Sequence, residues 1–117
     1  MADAMVGNVT QSEDCLYLNL WRPVEESTSG SRPVMVWIHG GTFLTGSSFD
    51  SEFDAREIVA QSDVIVVTLN YRLGAFGFLL GDDVDHPGNL GLYDQILALN
   101  WVRDNIHYFD GDPSKVS

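Results

Sequence analysis

Two unbroken apolar runs dominate this chain, Val34–Ile38 (VMVWI) and Val64–Leu69 (VIVVTL). Strands with one wet face alternate apolar and polar residues. Runs without a polar break suit strands covered on both faces, as in a parallel sheet between helices. Residues 52–61 lie between them with helical spacing, and Phe53, Ile58 and Val59 are available for packing. Strand, helix, strand implies a right-handed crossover. A shorter strand is predicted upstream at Leu16–Trp21, followed by a polar turn and loop from Pro23 to Ser31.

Leu90–His107 is the longest helical segment. Its apolar positions (Leu92, Tyr93, Ile96, Leu97, Leu99, Trp101, Val102 and Ile106) spread around most of the helix. Such a helix is expected to be buried on more than one side, which three short strands cannot provide. The chain is therefore expected to be part of a larger domain. Gly74–Phe78 reads as a glycine-rich turn, Phe109–Pro113 as the end of the long helix, and Lys115–Ser117 as the approach to another strand. Residues 1–14 read as a loose polar segment and 15–117 as one incomplete α/β domain, a mostly parallel sheet with flanking helices.

Hydrophobic residues make up 44% of the chain, which excludes disorder as the dominant state. Seventeen acids against six bases give a net charge of −11. That balance argues against nucleic acid, which needs a basic face, and against an anionic membrane surface. No apolar run is long enough to span a bilayer. Cys15 is the only cysteine, and with His39, His86 and His107 scattered it makes neither an internal disulfide nor a thiolate zinc site. Asp82, Asp83 and Asp85 lack further carboxylates to complete a cation shell and read as a solvated loop. No metal and no cofactor are expected. Asn8-Val9-Thr10 is a glycosylation sequon, relevant only to a secreted protein.

The chemistry is concentrated in His39-Gly40-Gly41-Thr42-Phe43, directly after the first apolar run. Ligands bind at the carboxyl ends of parallel strands. Adjacent glycines let main-chain N–H groups approach a ligand closely, and two such groups can stabilise the oxyanion of an acyl-transfer intermediate. Two glycines after a strand are equally the mark of a tight turn. His39 reads as orienting the loop rather than as a base, because no triad partner is visible for it.

Longer segments are more specific. Glu13-Asp14-Cys15-Leu16-Tyr17-Leu18-Asn19 resembles a signature of the type-B carboxylesterases, the family that includes the cholinesterases. Val36–Gly41 resembles its oxyanion segment, and Asn70–Phe78 the segment after its next strand. Gly88–Gln95, with Ala98-Leu99, Trp101-Val102 and Asn105-Ile106, resembles the helix before its nucleophile. Phe109–Pro113 resembles the turn that follows. Five motifs in order, from about residue 12 to the last, are similar to one family.

The resemblance implies an α/β-hydrolase fold, a Ser-Glu/Asp-His triad and hydrolysis of small carboxylic esters through an acyl-enzyme. It implies that Gly41 and Thr42 supply two oxyanion N–H groups and that Gly40 shapes the approach. The family often has glycine or alanine at Thr42; a β-branched residue there restricts the backbone and crowds the acyl site. Arg72 and Asp94 match a structural ion pair. Asp110 stands at a family glycine, a mild departure because Asp tolerates left-handed backbone. Cys15 matches a cysteine paired with one further upstream, and none lies upstream here. A secreted or ER-lumenal parent is implied.

No serine fits the G-x-S-x-G elbow of the nucleophile. Ser48 comes nearest, with Gly46 two before it but Asp50 at the second glycine position, and Ser117 stands where the strand to the elbow would begin. Neither His86 nor His107 matches a triad position. The expectation is a fragment bounded by absent parts and inactive alone, with Val34–Ile38 left as an apolar edge prone to association. The alternative is part of a non-catalytic, neuroligin-like adhesion protein of the same fold.

Overall fold

The computed structural model describes residues 12–25, 27, 30–82 and 87–117. Asn8, Asp83, Asp85 and His86 lie outside the described residues; Asp82 is exposed. Four strands form one sheet: β1 (Leu18–Trp21), β2 (Arg32–Ile38), β3 (Ile65–Leu69) and β4 (Gly111–Val116), in the order β1-β3-β2-β4. β2 runs parallel to β3 and to β4, and β1 runs antiparallel to β3. The helices are α1 (Arg56–Gln61), α2 (Gly74–Phe78) and α3 (Leu90–Asn105), the last continued by a 3₁₀ turn at Ile106–Phe109.

β3 is buried along its whole length, as its unbroken apolar run requires. One face carries Ile65 and Val67, which pack with Val34, Val102 and Ile106 beneath α3. The other carries Val66, which packs with Ala55 and Val59 under α1. β2 departs from the expectation of two covered faces. Val34 is buried, whereas Met35 is 46% and Trp37 49% exposed. The short α1 centres on Val66 and does not reach across β2; Phe53 lies 5.5 Å from Trp37 by ring centroids and gives partial cover.

Three further expectations are corrected. β2 is not an edge, because β4 occupies that flank and places Gly111 opposite Arg32. Backbone bonds extend this contact, with Val36 N–H donating to Ser117 O at 2.7 Å. The edges are β1 and β4, and β4 carries Pro113, a residue tolerated at edges because it lacks a ladder donor. The helix expected over 52–61 is broken into a 3₁₀ turn at Ser51–Phe53 and α1, since the Asp54 carboxylate accepts the Arg56 N–H at 3.0 Å and starts a new helix there. The expected turn at Gly74–Phe78 is a short helix. As expected of a helix that this sheet alone is too small to surround, α3 is covered on one side: Val102 is buried, while Tyr93, Ile96 and Leu97 are exposed.

Arg32 is almost fully buried at the start of β2, two residues before the apolar run. Its Nε donates to Asp63 at 2.6 Å and its Nη2 to the Glu25 carbonyl. Asp110 adopts the left-handed conformation at φ 65°, and its carboxylate meets Arg22 at 2.5 Å and lies 3.9 Å from Arg32. This residue therefore contributes charge as well as turn geometry.

Ile65→Ala should destabilise the chain by about 2–5 kcal/mol, because the cavity opens between sheet and α3. Ile58→Ala, at a half-exposed position on α1, should change stability by no more than about 0.5 kcal/mol. Urea titration of both variants checks the contrast.

Candidate functional site

Ile38 of β2 lies opposite Leu69 of β3, so both strands leave the sheet at one rim. Loop residues 39–46 and 70–73 are consequently neighbours at the carboxyl ends of parallel strands, where α/β sheets place their ligands.

His39 is buried between these loops. Its ring stacks on Tyr71, with centroids 4.6 Å apart and planes 20° apart, and the Tyr71 hydroxyl donates to the His39 carbonyl at 2.8 Å. Burial raises the pKa of the Tyr71 phenol, so it remains a donor at neutral pH. His39 Nδ1 lies 2.8 Å from the Gly40 carbonyl oxygen. A carbonyl can only accept, so this contact is a hydrogen bond when Nδ1 carries the proton. Gly46, at φ 117°, passes so close to the imidazole that a Cβ there would collide with it.

The loop then turns through three left-handed residues, Gly41 (φ 120°), Thr42 (φ 55°) and Phe43 (φ 60°). Left-handed backbone costs a non-glycine residue roughly 1–2 kcal/mol, so neighbouring contacts must hold it. The Gly41 carbonyl accepts from Leu44 N–H at 3.0 Å, Thr45 N–H at 3.1 Å and the Thr42 hydroxyl at 2.7 Å. The Phe43 carbonyl accepts Gly74 N–H at 2.7 Å, and its ring packs on Phe78 at 5.0 Å. A Cβ at Gly41 would strike the Thr45 carbonyl.

These contacts orient the main chain. No cis peptide occurs among the described residues, and across a trans peptide the N–H points opposite to the preceding C=O. The carbonyls of His39, Gly40 and Gly41 are held by Tyr71, by the His39 ring, and by Leu44 with Thr45. The N–H groups of Gly40, Gly41 and Thr42 therefore point away from those partners. All three residues are exposed, and none of the three N–H groups donates to any described residue. They are unused donors, available to an anion.

Arg72 and Asp94 meet between the Tyr71 segment and α3. Nε and Nη2 of Arg72 donate to the carboxylate at 2.8 and 2.7 Å, and the Arg72 N–H adds a bond at 3.0 Å. The Asp94 side chain is 5% exposed and that of Arg72 35%. Burial alone would raise the Asp94 pKa, but the hydrogen bonds and charge of Arg72 outweigh it and hold the carboxyl below its usual range.

The remaining sequence candidates are structural. Ser48 is buried, its hydroxyl accepting from Asn19 at 3.1 Å and its N–H donating to Asn70 at 2.9 Å, so it is no exposed nucleophile. The Cys15 carbonyl accepts from Asn70 at 3.0 Å, and Cys15 forms no disulfide among the described residues. No described group of three His, Cys, Asp or Glu could hold a metal ion, and no described helix is long and apolar enough to cross a membrane. An open cavity of about 660 Å³, lined by residues including Arg22, Ser31, His107 and Asp110, lies at the amino ends of β2 and β4, away from the glycine loop. Sequence reasoning gave neither Tyr71 nor Arg32 a role; Tyr71 was marked only as part of the Asn70–Phe78 motif, and Arg32 only by its position before the first apolar run.

A glycine loop at the carboxyl rim of a central parallel strand, in a sheet flanked by helices, makes this a partial α/β fold. The particular family follows from the whole sequence: the chain belongs to the carboxylesterase family, which it matches over residues 1–117. It is 55% identical over 107 residues to acetylcholinesterase-1 of Trittame loki, covering 90% of this chain and 19% of that protein. It is 52% identical over 109 residues to para-nitrobenzyl esterase of Bacillus subtilis, covering 92% of this chain and 22% of that protein. Carboxylesterase 5A of Canis lupus familiaris is 49% identical over 110 residues, covering 94% of this chain and 19% of that protein. The chain thus spans about a fifth of the length of these relatives.

Arg72→Met should cost about 3–5 kcal/mol at neutral pH, because it strands a buried carboxylate. Asp94→Asn should cost less, roughly 1.5–3 kcal/mol, because water reaches the guanidinium left behind. The folded Asp94 pKa lies below its ordinary 3.8, so the pair's contribution is complete above that pH and is lost as pH falls through the folded value. In denaturation experiments wild type and Asp94→Asn should therefore differ fully at pH 6 and draw together only as pH falls from 3.8 toward the lower, folded value.

Proposed function

We propose that this chain supplies the oxyanion-binding loop of a serine carboxylic-ester hydrolase, with the Gly41 and Thr42 N–H groups as donors and Gly40 shaping the approach. One observation carries the reading: Gly41 and Thr42 are exposed residues whose N–H groups donate to no described residue, while the carbonyls preceding them are tied down. In such a mechanism a serine oxygen attacks the ester carbonyl carbon, and the carbonyl oxygen takes up the negative charge. Donors already in place stabilise that charge without reorganising. Collapse expels the alcohol, and water then releases the acid from the acyl-enzyme. The serine, the acid and the triad histidine come from outside this chain, which alone has no esterase turnover. A small carboxylic ester is the substrate, and the parent protein enters the secretory pathway, as its resemblance to the cholinesterases implies.

Thr42 gives the loop a character of its own. Its side chain bonds the adjacent Gly41 carbonyl and puts a methyl group beside the donor row, which narrows the space for an acyl chain.

The protein that carries this chain should hydrolyse p-nitrophenyl butyrate, and a serine-directed phosphonate should abolish the activity. Gly41→Ala keeps the N–H but drives a Cβ into the Thr45 carbonyl, so the loop must shift and kcat should fall by about 10²–10³-fold, the loss expected when an oxyanion donor moves out of reach. An intact protein with no phosphonate-sensitive turnover would favour the non-catalytic, neuroligin-like reading instead. Turnover by the purified chain alone would contradict the assignment of the nucleophile to another segment.

A further inference from the structure

We infer that Tyr71 is a positioning residue for the donor row, an inference that rests on the oxyanion reading above. Its side chain is buried and faces the loop from the neighbouring strand end. Two contacts act on successive peptides. The hydroxyl holds the His39 carbonyl at 2.8 Å, which fixes the His39–Gly40 peptide and so the direction of the Gly40 N–H. The ring backs the His39 imidazole at 4.6 Å, and that imidazole's Nδ1 holds the Gly40 carbonyl, which fixes the Gly40–Gly41 peptide and so the Gly41 N–H. Phe43, past the turn, also rests edge-on against the same ring at 6.4 Å.

The loop needs such a holder. Glycines at 40 and 41 offer almost no resistance to peptide rotation, and a rotated peptide would present a carbonyl where a donor is required. Thr42 and Phe43 follow in left-handed conformations that persist only where their surroundings over-determine them. Tyr71 touches the segment before the glycines through His39 and after them through Phe43. It touches neither Gly41 nor Thr42 by hydrogen bond, so its effect on an oxyanion is transmitted through the backbone.

Tyr71→Phe is the test, because it removes only the hydroxyl and keeps the stack. In the intact protein it should lower kcat on p-nitrophenyl butyrate by about tenfold, with KM changed by less than about twofold. Affinity for a trifluoromethyl ketone, whose adduct carries the oxyanion, should fall in parallel with kcat. Tyr108→Phe, at an exposed position, serves as the control and should leave all three unchanged. Nitrogen-15 NMR supplies a readout independent of activity: the Gly40 and Gly41 amide resonances should broaden or double in Tyr71→Phe while those of Val66 and Val67 stay single. Unaltered Gly40 and Gly41 resonances overturn the inference whether or not the protein is active. Absence of turnover in the wild-type protein contradicts the hydrolase reading, and the NMR comparison still decides the role of Tyr71.

Discussion

The parallel pairing of β2 with β3 is the constraint on which the rest depends. Its register places Ile38 beside Leu69 and so brings two otherwise distant loops to one rim. A slip of one residue would reverse every side chain on the shifted strand and separate His39 from Tyr71. The register is secured by burial on the α3 side, where Val34 meets Ile65 and Val36 meets Val67 above Val102 and Ile106. The geometry of an exposed glycine loop is thus set by aliphatic packing beneath the sheet.

The loop itself reverses the usual use of hydrogen bonds in a turn. The carbonyls of His39, Gly40 and Gly41 are collected by the protein, and the N–H groups of Gly40, Gly41 and Thr42 are left without a protein partner among the described residues. An unused N–H in water costs little, because water satisfies it. The same N–H in a closed, dry site would gain most from a developing negative charge. Two consecutive non-glycine residues in left-handed backbone add local strain, met by bonds from Leu44, Thr45 and Gly74. Strain of this kind gathers at functional sites because the surrounding structure holds it in place.

Much of the sheet was legible in the sequence. The apolar runs at 34–38 and 64–69 mark β2 and β3, and Leu90–His107 marks α3, because apolar content and periodicity decide these elements directly. What was not legible depended on contacts distant in sequence. β4 carries a polar sequence of Gly, Asp, Pro, Ser, Lys and Val, and its strand character comes from docking on β2. Asp54 breaks the predicted helix through one side-chain bond. The burial of Arg32 depends on Asp63, 31 residues away. At the site, the glycines announced a loop but not its direction; that required the carbonyl partners supplied by Tyr71 and His39.

The direction of two N–H groups is the central claim, and a structure of the phosphonate-labelled intact protein tests it most directly. The account predicts the phosphonyl oxygen at about 2.7–3.1 Å from the nitrogens of both Gly41 and Thr42. A phosphonyl oxygen pointing elsewhere, with both N–H groups still unbonded or turned into the protein, would contradict it.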